Sequence, residues 1–166
     1  MSIQTTKIVW LRALILSTFA ISVLFTVLAE PLFAADAGSL LKPENVSPLL
    51  GGTPSFTSTP QGMTGTWTGA NAKRKLLILM YKNSRVPGEF AFMGAHKNAQ
   101  AKGNSKFSDE SGIGDKAFSV QESFGVVFMV LKNGRLLQLQ YWTGGEGTAQ
   151  DVTELRPVVK KAAAAF

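Results

Sequence analysis

Several groups of residues in this chain could carry chemistry, and each needs a particular neighbourhood to do so. Ser39-Leu40-Leu41-Lys42 sets a hydroxyl and an amine three positions apart. On a long buried helix such an amine acts as base toward the hydroxyl in acyl transfer. Tyr81-Lys82-Asn83 and Lys132-Asn133-Gly134 follow in the order that this chemistry uses. Ser39, however, precedes a very short predicted helix, and Asn133-Gly134 is a hairpin signal in its own right. Acyl transfer is therefore set aside, and no catalytic residue is assigned. His96 is the only histidine. A general base or a metal ligand needs partners, so a structural role is expected for it. Asp109-Glu110-Ser111-Gly112-Ile113-Gly114-Asp115 is rich in oxygen ligands of the kind calcium prefers. Its spacing departs from the D-x-D-x-D-G pattern, and the expectation is a solvated loop entering a tight turn. No metal and no cofactor is expected.

The remaining candidates point to binding. Trp67, Tyr81, Tyr141 and Trp142 fall on predicted strands. Gln138, Gln140 and Trp142 alternate onto one face, and the loop Gly144-Gly145-Glu146-Gly147 follows them. Tyr and Trp are enriched where proteins meet partners. Lys73 and Arg74 sit in a predicted turn and present positive charge to an anionic partner. The expected partner-binding residues are thus Trp142, Gln138, Gln140, Glu146, Lys73 and Arg74. No aromatic–basic pattern of a nucleic-acid module is present, and no nucleic-acid partner is expected.

These residues need a scaffold, and hydrophobic patterning supplies one. Ser39 to Gly52 reads as a short helix with Pro43 in its first turn, Gly51 as its stop and Leu41, Val46, Leu49 and Leu50 toward the core. Thr53 to Gln61 is a loop or an irregular edge strand. Residues 63–70 and 75–82 form a hairpin about the polar turn Asn71–Arg74, and the second of these is apolar on both faces, as a central strand should be. Glu89 to Ala101 is a helix with one stripe of Phe90, Met93, Gly94 and Lys97 and a second of Phe92, Ala95, His96 and Ala99. Residues 104–115 are expected as loop. Strands follow at 116–121, 124–132 and 135–142, the last two joined by Asn133-Gly134. Along the last, Leu137, Leu139 and Tyr141 share one face and Leu136, Gln138, Gln140 and Trp142 the other. A final helix, capped by Thr148 and Asp151, carries Val152, Leu155, Val159, Ala162 and Phe166 at helical spacing, with Pro157 expected to bend it. The expected fold is α+β, in the order α-β-β-α-β-β-β-α. It is one domain over residues 38–166, with about five largely antiparallel strands packed by helices.

The first 37 residues read as an export signal. Lys7 and Arg12 open it, Ala13 to Ala29 is apolar, Pro31 breaks the run, and Ala35-Asp36-Ala37 offers a small-residue cleavage site. The alternative is retention as a membrane anchor through residues 13–29, a 17-residue stretch against the roughly 20 that a spanning helix needs. No Cys is present, which excludes disulfides, thiolate metal sites, Cys nucleophiles and a lipidated N-terminus. The net charge is +6, and the charges of residues 1–37 cancel, so the excess belongs to residues 38–166. Such a charge keeps a small exported domain soluble.

Short motifs add a resemblance. Leu40-Leu41-Lys42-Pro43-Glu44-Asn45-Val46 with Leu50-Gly51, then Gly112-Ile113-Gly114-Asp115-Lys116-Ala117-Phe118, then Lys132-Asn133-Gly134-Arg135-Leu136-Leu137-Gln138-Leu139 resemble segments of small exported bacterial proteins of unknown function with a PsbP-like α/β sandwich. That resemblance implies a sandwich without catalytic residues. This chain differs from many such proteins in lacking paired Cys and a lipobox.

Taken together, these readings give a periplasmic or secreted, non-catalytic binding domain. Its expected partner is an envelope protein, as for an inhibitor or immunity protein acting on a toxin or cell-wall hydrolase. The alternative expectation is a carrier or sensor of a small apolar or anionic ligand held between sheet and helices.

Overall fold

A computed structural model describes residues 36–81, 87–103 and 106–166. The expected leader, apart from Asp36 and Ala37, lies outside the described residues, as do Lys82, Asn83 and Asn104. The elements run α1 (Pro43–Leu50), β1 (Ser55–Ser58), β2 (Thr64–Thr68), β3 (Lys75–Tyr81), α2 (Gly88–Gln100), β4 (Phe107–Glu110), β5 (Lys116–Glu122), β6 (Gly125–Lys132), β7 (Arg135–Trp142) and α3 (Ala149–Ala165). The strands form one sheet in the order β1-β2-β3-β7-β6-β5-β4, and every neighbouring pair is antiparallel.

The α+β class, the three helices and the central hairpins follow the sequence reading, but the sheet has seven strands and not five. The two beyond the five are four-residue edge strands: β1 realises the edge-strand alternative for residues 53–61, and β4 falls within the loop expected at 104–115. Each is mostly polar and exposed and is paired on one side only, so no hydrophobic period announces it. Phe56 holds β1 in place by packing on Trp67, with ring centroids 4.8 Å apart. The Asp109–His96 contact and the Glu110–Arg156 salt bridge, described below, hold β4.

Side-chain alternation divides the sheet into two faces. Leu76, Ile78, Val126, Phe128, Leu137, Leu139 and Tyr141 point to one face and are fully buried. That face is covered by α1 and α3, whose Val46, Leu49, Leu155, Val159 and Ala162 join the same cluster. Phe118, Val120, Met129, Leu131 and Leu136 point to the other face, under Phe92 and Ala99 of α2. Of the two stripes on α2, the one with Phe92 and Ala99 packs, while Phe90 and Met93 are exposed.

Both covering helices on the first face are tied down at their ends. The start of α3 has a reciprocal cap: the Asp151 N–H donates to Thr148 Oγ1 at 3.2 Å, and the Thr148 N–H donates to Asp151 Oδ2 at 2.9 Å. At its far end Lys132 Nζ donates to the carbonyls of Ala163 and Ala164, and the Arg135 guanidinium bonds the Phe166 carbonyl and lies 4.4 Å from its ring centroid. Cations belong at a helix C-terminus, where carbonyls lack intrahelical partners. The C-terminal carbonyl of α1, at Leu49, accepts from the buried Tyr141 hydroxyl at 3.1 Å and from Arg74 at 3.2 Å. Position 69 must be glycine for this junction to close, because a Cβ there would collide with the Leu50 carbonyl oxygen. Trp67 Nε1 is the one buried side-chain polar atom among the described residues without a hydrogen-bond partner.

Burial raises the Tyr141 pKa, so the folded protein favours the neutral phenol. Its contribution is fully present below the unfolded tyrosine value of about 10 and is lost as pH rises above it. Tyr141→Phe should cost about 1 kcal/mol at neutral pH and flatten the alkaline fall in stability; urea midpoints on either side of pH 10 measure both effects.

Candidate functional site

The register of the sheet brings together part of the expected site. On the α2 face, Lys75 stands opposite Trp142, Leu77 opposite Gln140 and Leu79 opposite Gln138. One strand further out, Thr68, Thr66 and Thr64 stand opposite those same positions of β3. Helix α2 packs on the β4–β6 side and on Leu136 at the start of β7. Among the described residues, no helix covers the outward faces of β2, β3 and the remainder of β7. This open half is amphipathic: threonines, two glutamines, half-buried Leu77 and Leu79, and one exposed cation, Lys75, at its Trp142 end. Its ends are marked by aromatics, Tyr81 at 41% and Trp142 at 43% exposure. The Tyr81 hydroxyl donates to Gln138 Oε1 at 2.9 Å. Trp142 is held by Phe124, with ring centroids 4.8 Å apart.

Where the open half meets α2 there is a groove of about 510 Å³. Val127 and Met129 contribute apolar lining, and Gln138, Gln140 and Asn98 supply amide groups. Lys102 and Glu122 also border it and form an ion pair with each other.

Of the other expected partner residues, Glu146 and Arg74 are engaged elsewhere and Lys73 stands apart. Glu146 pairs with Lys106, and this hydrogen-bonded pairing lowers the Glu146 pKa and raises that of Lys106. Arg74 turns toward the opposite face, to the Leu49 carbonyl. Lys73 is exposed on the β2–β3 turn. The structure thus groups Trp142, Gln138 and Gln140, and it adds Tyr81, Asn98 and Phe124, which patterning alone did not join to them.

The acidic segment is not a single cluster. Asp109 Oδ1 lies 2.7 Å from His96 Nε2. Glu110 accepts from Arg156 Nε at 2.7 Å and from Ser119 Oγ at 2.8 Å. Asp115 Oδ2 accepts from the Asn133 N–H at 2.7 Å. These acids go to three different places, and among the described residues no group of three or more His, Cys, Asp or Glu could hold a metal ion. His96 joins α2 to β4, with Phe107 and Phe118 packed edge-on at 5.1 and 5.3 Å. No hydroxyl bonds its ring among the described residues. Ser39 lies in a turn ahead of α1, its Oγ donating to the Asp36 carbonyl at 2.7 Å. Lys42 is the residue before the helix, so the Ser–Lys pair does not lie on a buried helix.

Compared with protein-family models, curated proteins and solved structures, the chain matches none. The resemblance drawn from its motifs therefore rests on those motifs alone. In the structure the first of them forms α1 and the other two hold turns: Gly114 adopts φ +58°, where a Cβ would also press on Leu131, and Asn133 and Gly134 form the β6–β7 turn at φ 51° and 71°.

The Glu110 side chain is only 4% exposed, and the hydrogen bonds that Arg156 donates to Glu110 raise the Arg156 pKa. Arg156→Ala leaves a buried carboxylate without its cation. It should destabilise toward the low end of the roughly 3–5 kcal/mol seen for broken buried pairs, because Arg156 is itself partly hydrated. Glu110→Gln, which keeps an acceptor for Ser119, should cost less; urea midpoints of the two variants decide the order.

Proposed function

We propose that this protein is an exported, non-catalytic binding domain that contacts another envelope protein through the open half of its sheet. The role of an inhibitor or immunity protein toward a toxin or wall hydrolase fits this reading. The observation that carries it is the uneven cover of the sheet. One face is sealed by two helices, while the other leaves Tyr81, Trp142 and the Gln138–Gln140 strip on the surface. Exposed aromatics beside neutral hydrogen-bonding side chains have the composition of interface centres, where charged residues are depleted.

A photo-crosslinking amino acid at Gln140 should yield a discrete covalent adduct in living cells. The same probe at Thr153, exposed on α3, should yield none. Trp142→Ala should reduce the Gln140 adduct about tenfold, equivalent to about 1.4 kcal/mol. Equal adducts from both positions, or none from Gln140, would remove this reading.

The groove favours a second reading, a carrier or sensor of a small ligand. Its volume of about 510 Å³ falls in the range of small-molecule sites, and its mixture of apolar lining and a few convergent polar groups is that of such sites. Asn98 is exposed on α2 and borders the groove, so Asn98→Trp should block it without disturbing the core. Native mass spectrometry should show a small-molecule adduct on the protein and not on Asn98→Trp; a bare mass for both refutes the carrier reading.

A further inference from the structure

The groove's lining constrains what it can hold. Among the described residues lining the groove, Lys102 and Glu122 neutralise each other, so a net-charged ligand finds no free counter-charge in it; the exposed Lys75 lies outside the groove, at the Trp142 end of the open half. A pure hydrocarbon would strip water from the Gln140 and Asn98 amides. Neither makes a side-chain hydrogen bond among the described residues, and Gln138 uses only its Oε1, toward Tyr81. Each amide group desolvated without a partner weakens binding. The lining is matched by a neutral molecule with an apolar face and a polar edge. A sugar ring is such a molecule, since its C–H face can lie on Val127 and Met129 while its hydroxyls reach the amides.

The site also continues beyond the groove. From the Trp142 end of the open half, opposite Lys75, to Tyr81 is six residues along β3. That is roughly 20 Å at about 3.3 Å per residue, long enough for several linked rings. Threonines 64, 66 and 68 add hydroxyls along the same face. An exposed aromatic stands at each end, where a ring can stack against a sugar's C–H face. We propose that the groove and the open half of the sheet form a binding site for a neutral oligosaccharide. This rests on the second reading above, that the groove holds a ligand.

The test is calorimetric titration of the intact protein, with side-chain amide NMR, using maltohexaose, cellohexaose and chitohexaose in turn. At least one should bind saturably and shift the Gln138 and Gln140 side-chain amides. Gln138→Ala with Gln140→Ala should weaken binding at least about tenfold, and Asn98→Trp should do so while leaving the melting temperature unchanged. N-phenylnaphthylamine, a neutral apolar fluorophore, is titrated in parallel. Binding of the fluorophore, lost in Asn98→Trp, with no response to any sugar overturns the oligosaccharide class and leaves the groove a ligand site. Failure of both probes overturns both. Sugar binding that survives in the glutamine variant and in Asn98→Trp overturns this location.

Discussion

Asn133 and Gly134, both at positive φ, join β6 to β7 with Lys132 directly opposite Arg135. That two-residue turn fixes the pairing of the central ladder, and β3 then pairs with the other side of β7. Side chains alternate with a period of two, so a slip of one residue would exchange the two faces. Leu137, Leu139 and Tyr141 would go to the open side, and Gln138 and Gln140 would be buried under α3. The hydrophobic cost of that exchange is large, since the three core residues are fully buried and each such side chain contributes about 1.5–3 kcal/mol by burial. The candidate site exists because this register holds.

The helices then decide how much of each face is sealed. Helix α3 is long, capped at its start, gripped by Lys132 and Arg135 at its end, and tied to edge strand β4 through Arg156 and Glu110. Together with α1, which is pinned at Leu49 by Tyr141 and Arg74, it closes its face. Helix α2 has fewer means of doing so. Its buried residues are Phe92 and Ala99, both over the β4–β6 side of the sheet, and the His96–Asp109 contact draws it toward β4. An element so placed cannot also cover β2 and β3. The opening is a consequence of where α2 finds its partners.

Patterning shows the centre of the fold; at the edges it leaves residues 53–61 between loop and irregular edge strand and reads β4 as loop. The alternation along β7, the Asn-Gly turn and the helical spacing of Val152, Leu155, Val159 and Ala162 are local signals, and the structure follows each. Strand β1 has only Phe56 facing inward, and β4 carries Asp109 and Glu110, so neither has a period to detect. The acidic segment looked like one oxygen-rich loop because its residues are adjacent. Their partners, His96, Arg156 and Asn133, lie 13, 46 and 18 residues away, and no spacing rule connects them. Arg74 looked like a free cation at a turn for the same reason: its acceptor belongs to a helix 25 residues earlier. Gln138, Gln140 and Trp142 were legible as one face of a strand. That Tyr81 and Asn98 join them depends on β3 pairing with β7 and on α2 crossing beside them, which only the assembled sheet provides.

An uncovered sheet face exposes backbone and side chains to water and must stay soluble when nothing is bound. This one meets that demand mainly with hydroxyl and amide groups, with one cation, Lys75, at its Trp142 end. Thr64, Thr66, Thr68, Gln138 and Gln140 are each partly accessible, and Leu77 and Leu79 between them are half-buried. Water competes with any ligand for the amides, so the hydrogen bonds made on binding are mostly exchanges and contribute little net free energy. The gain has to come from finishing the burial of Leu77, Leu79 and the exposed parts of Tyr81 and Trp142, at roughly 25 cal/mol per Å². The amides act in the opposite direction: a ligand that cannot satisfy them is penalised. Affinity on this surface is thus carried by its apolar residues and discrimination by its neutral polar ones.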